Sequence, residues 1–98
     1  MNNKVYIAGK VTGDPGYKAK FAEAERILRD NSLGILQPVN PAEFVPEGMG
    51  WHRAMALCLL RLAGCSTVYF LPDWRDSRGA RIEHRWAKKL RKKIIYQQ

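Results

Sequence analysis

The sequence predicts an α/β protein in three layers, with a parallel sheet of four to five strands flanked by helices. Three observations predict it. Short runs are rich in β-branched and aromatic residues, amphipathic stretches of helical spacing lie between them, and the two alternate along the chain as βαβ(α)αβαβ. The length of 98 residues points to one compact domain, residues 1–98, because a single core of this size leaves little material for a second. An apolar share of 46% and three tryptophans fit a globular core, and no internal repeat, linker or low-complexity segment interrupts it.

The elements follow in order. "KVYIAG", Lys4 to Gly9, alternates and is rich in strand-forming residues, so it reads as a first strand ending at a glycine. A loop with Gly9, Gly13 and Gly16 leads into a helix that carries Phe21, Ala24 and Leu28 on one face and stops at Gly34. Asp14-Pro15 is the candidate cap of that helix, although Gly16 blurs its start. "ILQPV" reads as a short second strand cut off by Pro38, and "NPAEF" as a one-turn helix with Asn cap, Pro at the first position and Glu43 three residues after the cap. The loop "VPEGMG" follows. From Trp51 to Leu62 the chain is almost continuously apolar, with Met55, Leu59 and Leu62 at helical spacing, which predicts a helix buried on more than one side. "STVYFLP" is the third strand, "DWRDS" a loop, and Ile82, Trp86 and Leu90 recur every four residues as the stripe of a last helix before the strand "KKIIYQQ". The result is a flavodoxin-like or Rossmann-like arrangement. Right-handed crossovers place the carboxyl ends of all its strands along one edge.

The net charge of +8 raises nucleic acid as a partner, but distribution matters more than the total. Nine of the seventeen Lys and Arg residues follow Trp74, spread around a short helix and its exit. Spread so widely, they fit a solvated face and a complement to the helix C-terminus better than a dedicated nucleic-acid surface. No apolar run approaches the roughly 18 residues of a membrane span, and the N-terminus enters a strand pattern without a signal peptide, so a cytoplasmic protein with no membrane partner is expected. Cys58 and Cys65 lie seven apart without the paired spacing zinc needs and read as core thiols; His52 and His84 have no metal-ligand partners at suitable spacing. No metal and no cofactor is expected.

In an open parallel sheet, ligands bind beyond the carboxyl ends of the strands. Three segments converge there: "AGKVTGDPG", "PVNPAEF" and "PDWRDSRGARIE". Glu83 stands about one and a half turns inside the last helix, within reach of the cleft, with only Gly79 and Ala80 one turn before it. Alternatively it pairs with Arg78, Arg81 or Arg85 on a solvated face, worth a few tenths of a kcal/mol. Spacing alone leaves both readings open.

"KVYIAGKVTG", "NPAE" and "LPDWRDSRGARIEH", in this order, resemble the nucleoside 2-deoxyribosyltransferase superfamily over nearly the whole chain, above all its small bacterial and phage members; deoxynucleotide N-glycosidases belong to the same superfamily. The resemblance implies that Glu83 is a nucleophile on a nucleoside or nucleotide, with Tyr6 orienting it from beneath the sugar. It also implies that Ser77, Gly79 and Glu83 reproduce the family's spacing of small polar residue, glycine and glutamate. The glycine loop, Gly9 and Gly13, would then join the helix N-terminus with Ser77, Arg78 and Arg81 in holding a phosphate. Trp74, with Trp51, would flank a base, and Asp73 or Asp76 would supply the missing general acid. Each residue also has a plainer role: helix cap for Ser77, core for Tyr6, turn geometry for the glycines, apolar lid for the tryptophans. Departures from the family pattern fall at Cys58 and Ser66, where acids are common, at Ser77, where transferases carry an acid, and at Arg85, where a glycine is frequent.

Three readings therefore stand in order: an N-glycosidase or deoxyribosyltransferase, a nucleotide-binding protein that has lost the chemistry, and a basic nucleic-acid-binding module. The resemblance further implies a homodimer or higher homo-oligomer.

Overall fold

The computed structural model describes residues 2–97. Its elements are β1 (Lys4–Ala8), α1 (Tyr17–Asn31), β2 (Gln37–Val39), α2 (Pro41–Phe44), α3 (Trp51–Ala63), β3 (Thr67–Phe70), a 3-10 turn at Trp74–Asp76, α4 (Arg78–Lys89) and β4 (Lys93–Tyr96). The four strands form one sheet in the order β2-β1-β3-β4, parallel throughout, with Tyr6 beside Val39 on one side and Val68 on the other. The three-layer α/β arrangement expected from the sequence is the one observed.

Strand periodicity decides which side chains meet which layer. Tyr6, Ala8, Val68 and Phe70 point to one face, where they pack with Cys58 and Leu62 of α3 and Ala87 of α4. Val5, Ile7, Tyr69 and Leu71 point to the other, against Phe21, Ala24 and Leu28 of α1. The central strands β1 and β3 are covered on both sides, except at Lys4, which explains why they read as nearly unbroken apolar runs.

Four local expectations change. Pro38 lies inside β2 instead of ending it: the Gln37 amide donates to the Asn3 carbonyl, so the next residue's nitrogen faces the open edge, where no ladder bond is lost. Asp14 does not cap α1, which starts after Gly16 with no side-chain cap; its carboxylate accepts from the Gly16 amide at 3.0 Å and organises the preceding turn. Helix α3 is buried along one face only, through Cys58 and Leu62, while Leu60 is 73% exposed. Helix α4 turns Ala80, Glu83 and Ala87 inward and leaves Trp86 and Leu90 each 42% exposed. Residues 80, 83 and 87 follow the i, i+3, i+7 rhythm of a buried helical face, and their small alanines let α4 lie close to the sheet. Trp86 and Leu90 instead line, with Ala56, Leu59, Leu60 and Ala63, a shallow apolar groove of about 250 Å³ between α3 and α4. No described helix is long and apolar enough to cross a membrane.

Gly9 couples this scaffold to the edge where the strands end. A Cβ there would stand 2.6 Å from Leu71 Cδ1 and 3.0 Å from its Cβ, so the chain leaving β1 presses on the residue that follows β3. Gly9→Ala should cost about 1–3 kcal/mol, read as a fall of roughly 4–8 °C in Tm per kcal/mol; an unchanged Tm would show that the two loops part without cost.

Candidate functional site

Helix α4 begins where Ser77 caps it, its hydroxyl oxygen accepting the Ala80 amide at 3.1 Å. Counting from that cap, Glu83 falls on the same inward face as Ala80 and Ala87 and meets Tyr6, which the pleat of central strand β1 sends to the same layer. The Tyr6 hydroxyl donates a hydrogen bond to the Glu83 carboxylate. Both side chains sit at the base of a cavity of about 370 Å³ at the carboxyl edge of the sheet.

The walls are mostly apolar. Val11, Tyr17 and Phe21 contribute from the first loop and α1, Trp51 and Met55 from α3, and residues 45–49 run continuously along the rim. Thr12, Ser77 and Cys58 supply the polar lining beside Tyr6 and Glu83. Glu47, at the mouth, is exposed and ion-paired with Lys18.

Burial dominates the electrostatics. Glu83 is 6% exposed, and among the described residues no cation or backbone amide compensates; burial pushes its carboxyl up to about 8, against which the Tyr6 hydrogen bond pulls only partly. The Tyr6 phenol is raised well above its usual value by its own burial and then by the neighbouring Glu83 charge. Burial, followed by the same charge, pushes the Cys58 thiol up to about 11.

Of the residues singled out in the sequence, Tyr6, Gly9, Trp51, Ser77 and Glu83 line this cavity together. Arg78 reaches its rim, the guanidinium carbon 4.4 Å from the centre of the Trp51 ring. Gly79 lets α4 settle on α3, since a Cβ there would lie 3.0 Å from Met55 Sδ. The others lie outside. Asp73 accepts from the Lys10 amide at 3.1 Å and pairs with Lys20, so it is held in the scaffold and is not aimed at the cavity. Asp76 is exposed in the 3-10 turn. Trp74 stacks on His84 with ring centroids 4.2 Å apart, beside Phe70 and Tyr96, and is not among the lining residues. Gly13 sits at a φ of +79° with open space around it and serves the turn, and Arg81 is exposed on the outer side of α4. The described residues contain no cluster of His, Cys, Asp and Glu fit to hold a metal.

Two features escaped the sequence. The 45–49 rim is legible only as a glycine-containing loop, because nothing local says which element it will cover. Lys20 binds Asp14 at 2.5 Å, Asp73 and the Lys10 carbonyl at 2.8 Å, bracing the two loops behind the cavity. Its acidic partners lie six residues before it and 53 after it, a pairing no spacing rule detects.

The Glu83 burden is measurable. Its proton is held in the folded protein to about pH 8 but leaves the unfolded chain near the ordinary value of 4.5. Folding therefore binds a proton between those limits, and stability should fall as pH rises across this window and level off above it. Urea melts from pH 5 to 8.5 should show the wild type losing about 2–4 kcal/mol more than Glu83→Gln; parallel profiles would mean that Glu83 titrates normally.

Residues 3–96 match the family model described as a domain of unknown function, DUF4406. Among solved structures, the fold is similar to that of a 2-desoxiribosyltransferase from Leishmania mexicana, with a TM-score of 0.72 and 15% identity over 96% of this chain and 63% of that one. This chain thus spans less than two thirds of that enzyme's length, and at that identity the likeness shows the fold alone. No curated protein matches the sequence. A family match running nearly from end to end leaves one conclusion: the chain belongs to the DUF4406 family.

Proposed function

We propose that this protein binds a nucleoside or nucleotide in the cavity above Glu83 and acts on its N-glycosidic bond, with Glu83 as nucleophile. The observation that carries the reading is the buried Glu83 carboxyl, hydrogen-bonded by Tyr6, at the base of a cavity large enough for a small ligand. The likeness of the fold to a deoxyribosyltransferase supports it.

The chemistry follows from the group available. As the bond between sugar carbon and base nitrogen lengthens, its electron pair leaves with the base and positive charge develops on the sugar. A carboxylate below the ring stabilises that charge and then bonds to the carbon, giving a glycosyl ester that water or a second base resolves. Tyr6, donating to one carboxylate oxygen, keeps the other free to face the sugar. Developing positive charge in a water-poor cavity also favours the ionised form of Glu83, which the empty site disfavours. Where the ligand carries a phosphate, the first amides of α4, the Ser77 hydroxyl and Arg78 at the rim offer it donors.

A second reading has its own observation. The cavity's carboxyls among the described residues are Glu83 and, at the mouth, the ion-paired Glu47, while Asp73 is engaged by Lys20, so no acid stands ready to protonate a departing base. This favours a protein that binds the nucleotide and does not turn it over.

Chromatographic detection of free base separates the two. Wild type and Glu83→Ala are incubated with deoxynucleosides, ribonucleosides and their monophosphates. The first reading expects release by wild type, a loss of about a thousandfold or more in the variant, and kcat/KM rising with pH through about 8 as the free protein's Glu83 ionises. Release undiminished in Glu83→Ala refutes the nucleophile. No release from any compound, with a raised Tm in one of them, supports binding alone.

A further inference from the structure

The shallow groove between α3 and α4 shares no lining residue with the cavity, and nothing in the chemistry proposed for Glu83 uses it. Its lining is apolar throughout, and three of its residues, Leu60, Trp86 and Leu90, are exposed. Exposed apolar residues scattered singly need no explanation, but these share one concave strip. Burying Ala80, Glu83 and Ala87 against the sheet leaves Trp86 and Leu90 on the flank of α4 that looks toward α3, where no described element covers them.

The frame of the groove carries one sign of charge. Arg53 stands one turn before Ala56 on the same ridge of α3. On α4, Arg85 and Lys89 follow the ridge beside Trp86 and Leu90, with the Lys89 ammonium 5.5 Å from the centre of the Trp86 ring. Lys92 closes the end, its ammonium donating to the Ala63 carbonyl at 2.8 Å. The acid that α3 and α4 contain is Glu83, which is buried on the sheet side. Among the described residues no ion pair engages Arg53, Arg85, Lys89 or Lys92.

We propose that this groove docks a segment of a partner protein that presents bulky apolar side chains flanked by Asp or Glu, as an acidic amphipathic helix does. The cationic frame selects the acids, and the apolar floor selects the anchors between them. A second copy of this chain suits the groove poorly, because two such faces brought together would set cation against cation. The rest of the chain has little acid to offer: Asp14 and Asp73 pair with Lys20, Glu23 and Asp30 with Arg26, Glu25 with Arg29, and Glu47 with Lys18. Beyond the buried Glu83, that leaves Glu43 and Asp76. The lining is also far smaller than the roughly 20–30 residues a side of a stable interface between globular proteins, and fits one short segment. Nucleic acid would meet the cations but gain nothing from a floor of leucines and alanines.

The probe is a displayed library of short random peptides, selected on the full chain and depleted on Leu60→Glu/Trp86→Glu, whose changes fall at exposed positions and whose fold is checked by its Tm. Surviving peptides should carry acids around bulky apolar residues at helical spacing. The tightest of them, synthesised with a fluorescent label and followed by anisotropy, should lose about tenfold or more in affinity to Trp86→Ala and to Arg85→Glu/Lys89→Glu, and added salt should weaken it several-fold. No surviving peptide, peptides without enrichment in acids, or affinity indifferent to both variants overturns the proposal. A reversible dimer in sedimentation that Leu60→Glu/Trp86→Glu abolishes overturns it too, by giving the groove to a second copy. Binding of a labelled single-stranded oligonucleotide or of anionic phospholipid vesicles that is lost in the same variant does so in favour of nucleic acid or lipid. None of these measurements involves turnover, so this idea and the reading of Glu83 stand or fall separately.

Discussion

A carboxyl buried without a cation is the constraint around which this molecule is arranged. Removing Glu83 from water disfavours its charge, and the hydrogen bond from Tyr6 returns part of what solvent supplied. A buried acid with no cation beside it burdens a small fold with little stability to spare. Packing alone gives no reason for it: an apolar residue of similar size at that place would suit the core better. The burden becomes intelligible when the same carboxyl also borders a cavity.

Everything that delivers Glu83 to that place is backbone geometry. The pleat of β1 alternates its side chains between two layers and assigns Tyr6 to the layer of α3 and α4. The Ser77 cap starts α4 at a definite residue, and the turn of the helix then sets Ala80, Glu83 and Ala87 on one line. Small residues at the crossings complete the approach: Gly79 against Met55, Gly9 against Leu71, and the two alanines against the sheet. Close contact leaves Glu83 buried on the sides where α4 meets the sheet, and that withdrawal from solvent raises its proton affinity.

The loops are held by different means. Lys20 gathers two carboxylates and a backbone carbonyl from segments far apart in the chain, and its charge-assisted bonds are only partly exposed to water, so they are screened less than surface pairs. The rim formed by residues 45–49 packs against the core through Val45, and beyond it the side-chain tie to α1 among the described residues is one exposed ion pair, Lys18 with Glu47, of the kind that contributes about 0–1 kcal/mol. One wall of the cavity is thus firmly braced and the other lightly tied. Ligand entry is expected on the lightly tied side, where opening disturbs the least structure.

The sequence by itself determined the order of elements, the parallel sheet and the short helix at "NPAEF", because each rests on local chemistry: β-branched runs, helical spacing, an Asn cap before a Pro. It also marked Tyr6, Ser77 and Glu83 as candidates, through their types and spacing and a family resemblance. Tertiary structure alone decided which candidates meet. Asp73 and Trp74 have the right chemistry and lie close in the chain to Ser77, yet one is captured by Lys20 and the other stacks on His84. The apolar stripe of Trp86 and Leu90 looked like the core face of α4, and only packing revealed that the two alanines and Glu83 fill that role. The physical reason is that spacing along a helix says which residues share a face but not which face the sheet will accept; that choice depends on how closely the backbones can approach, a property of the two surfaces together.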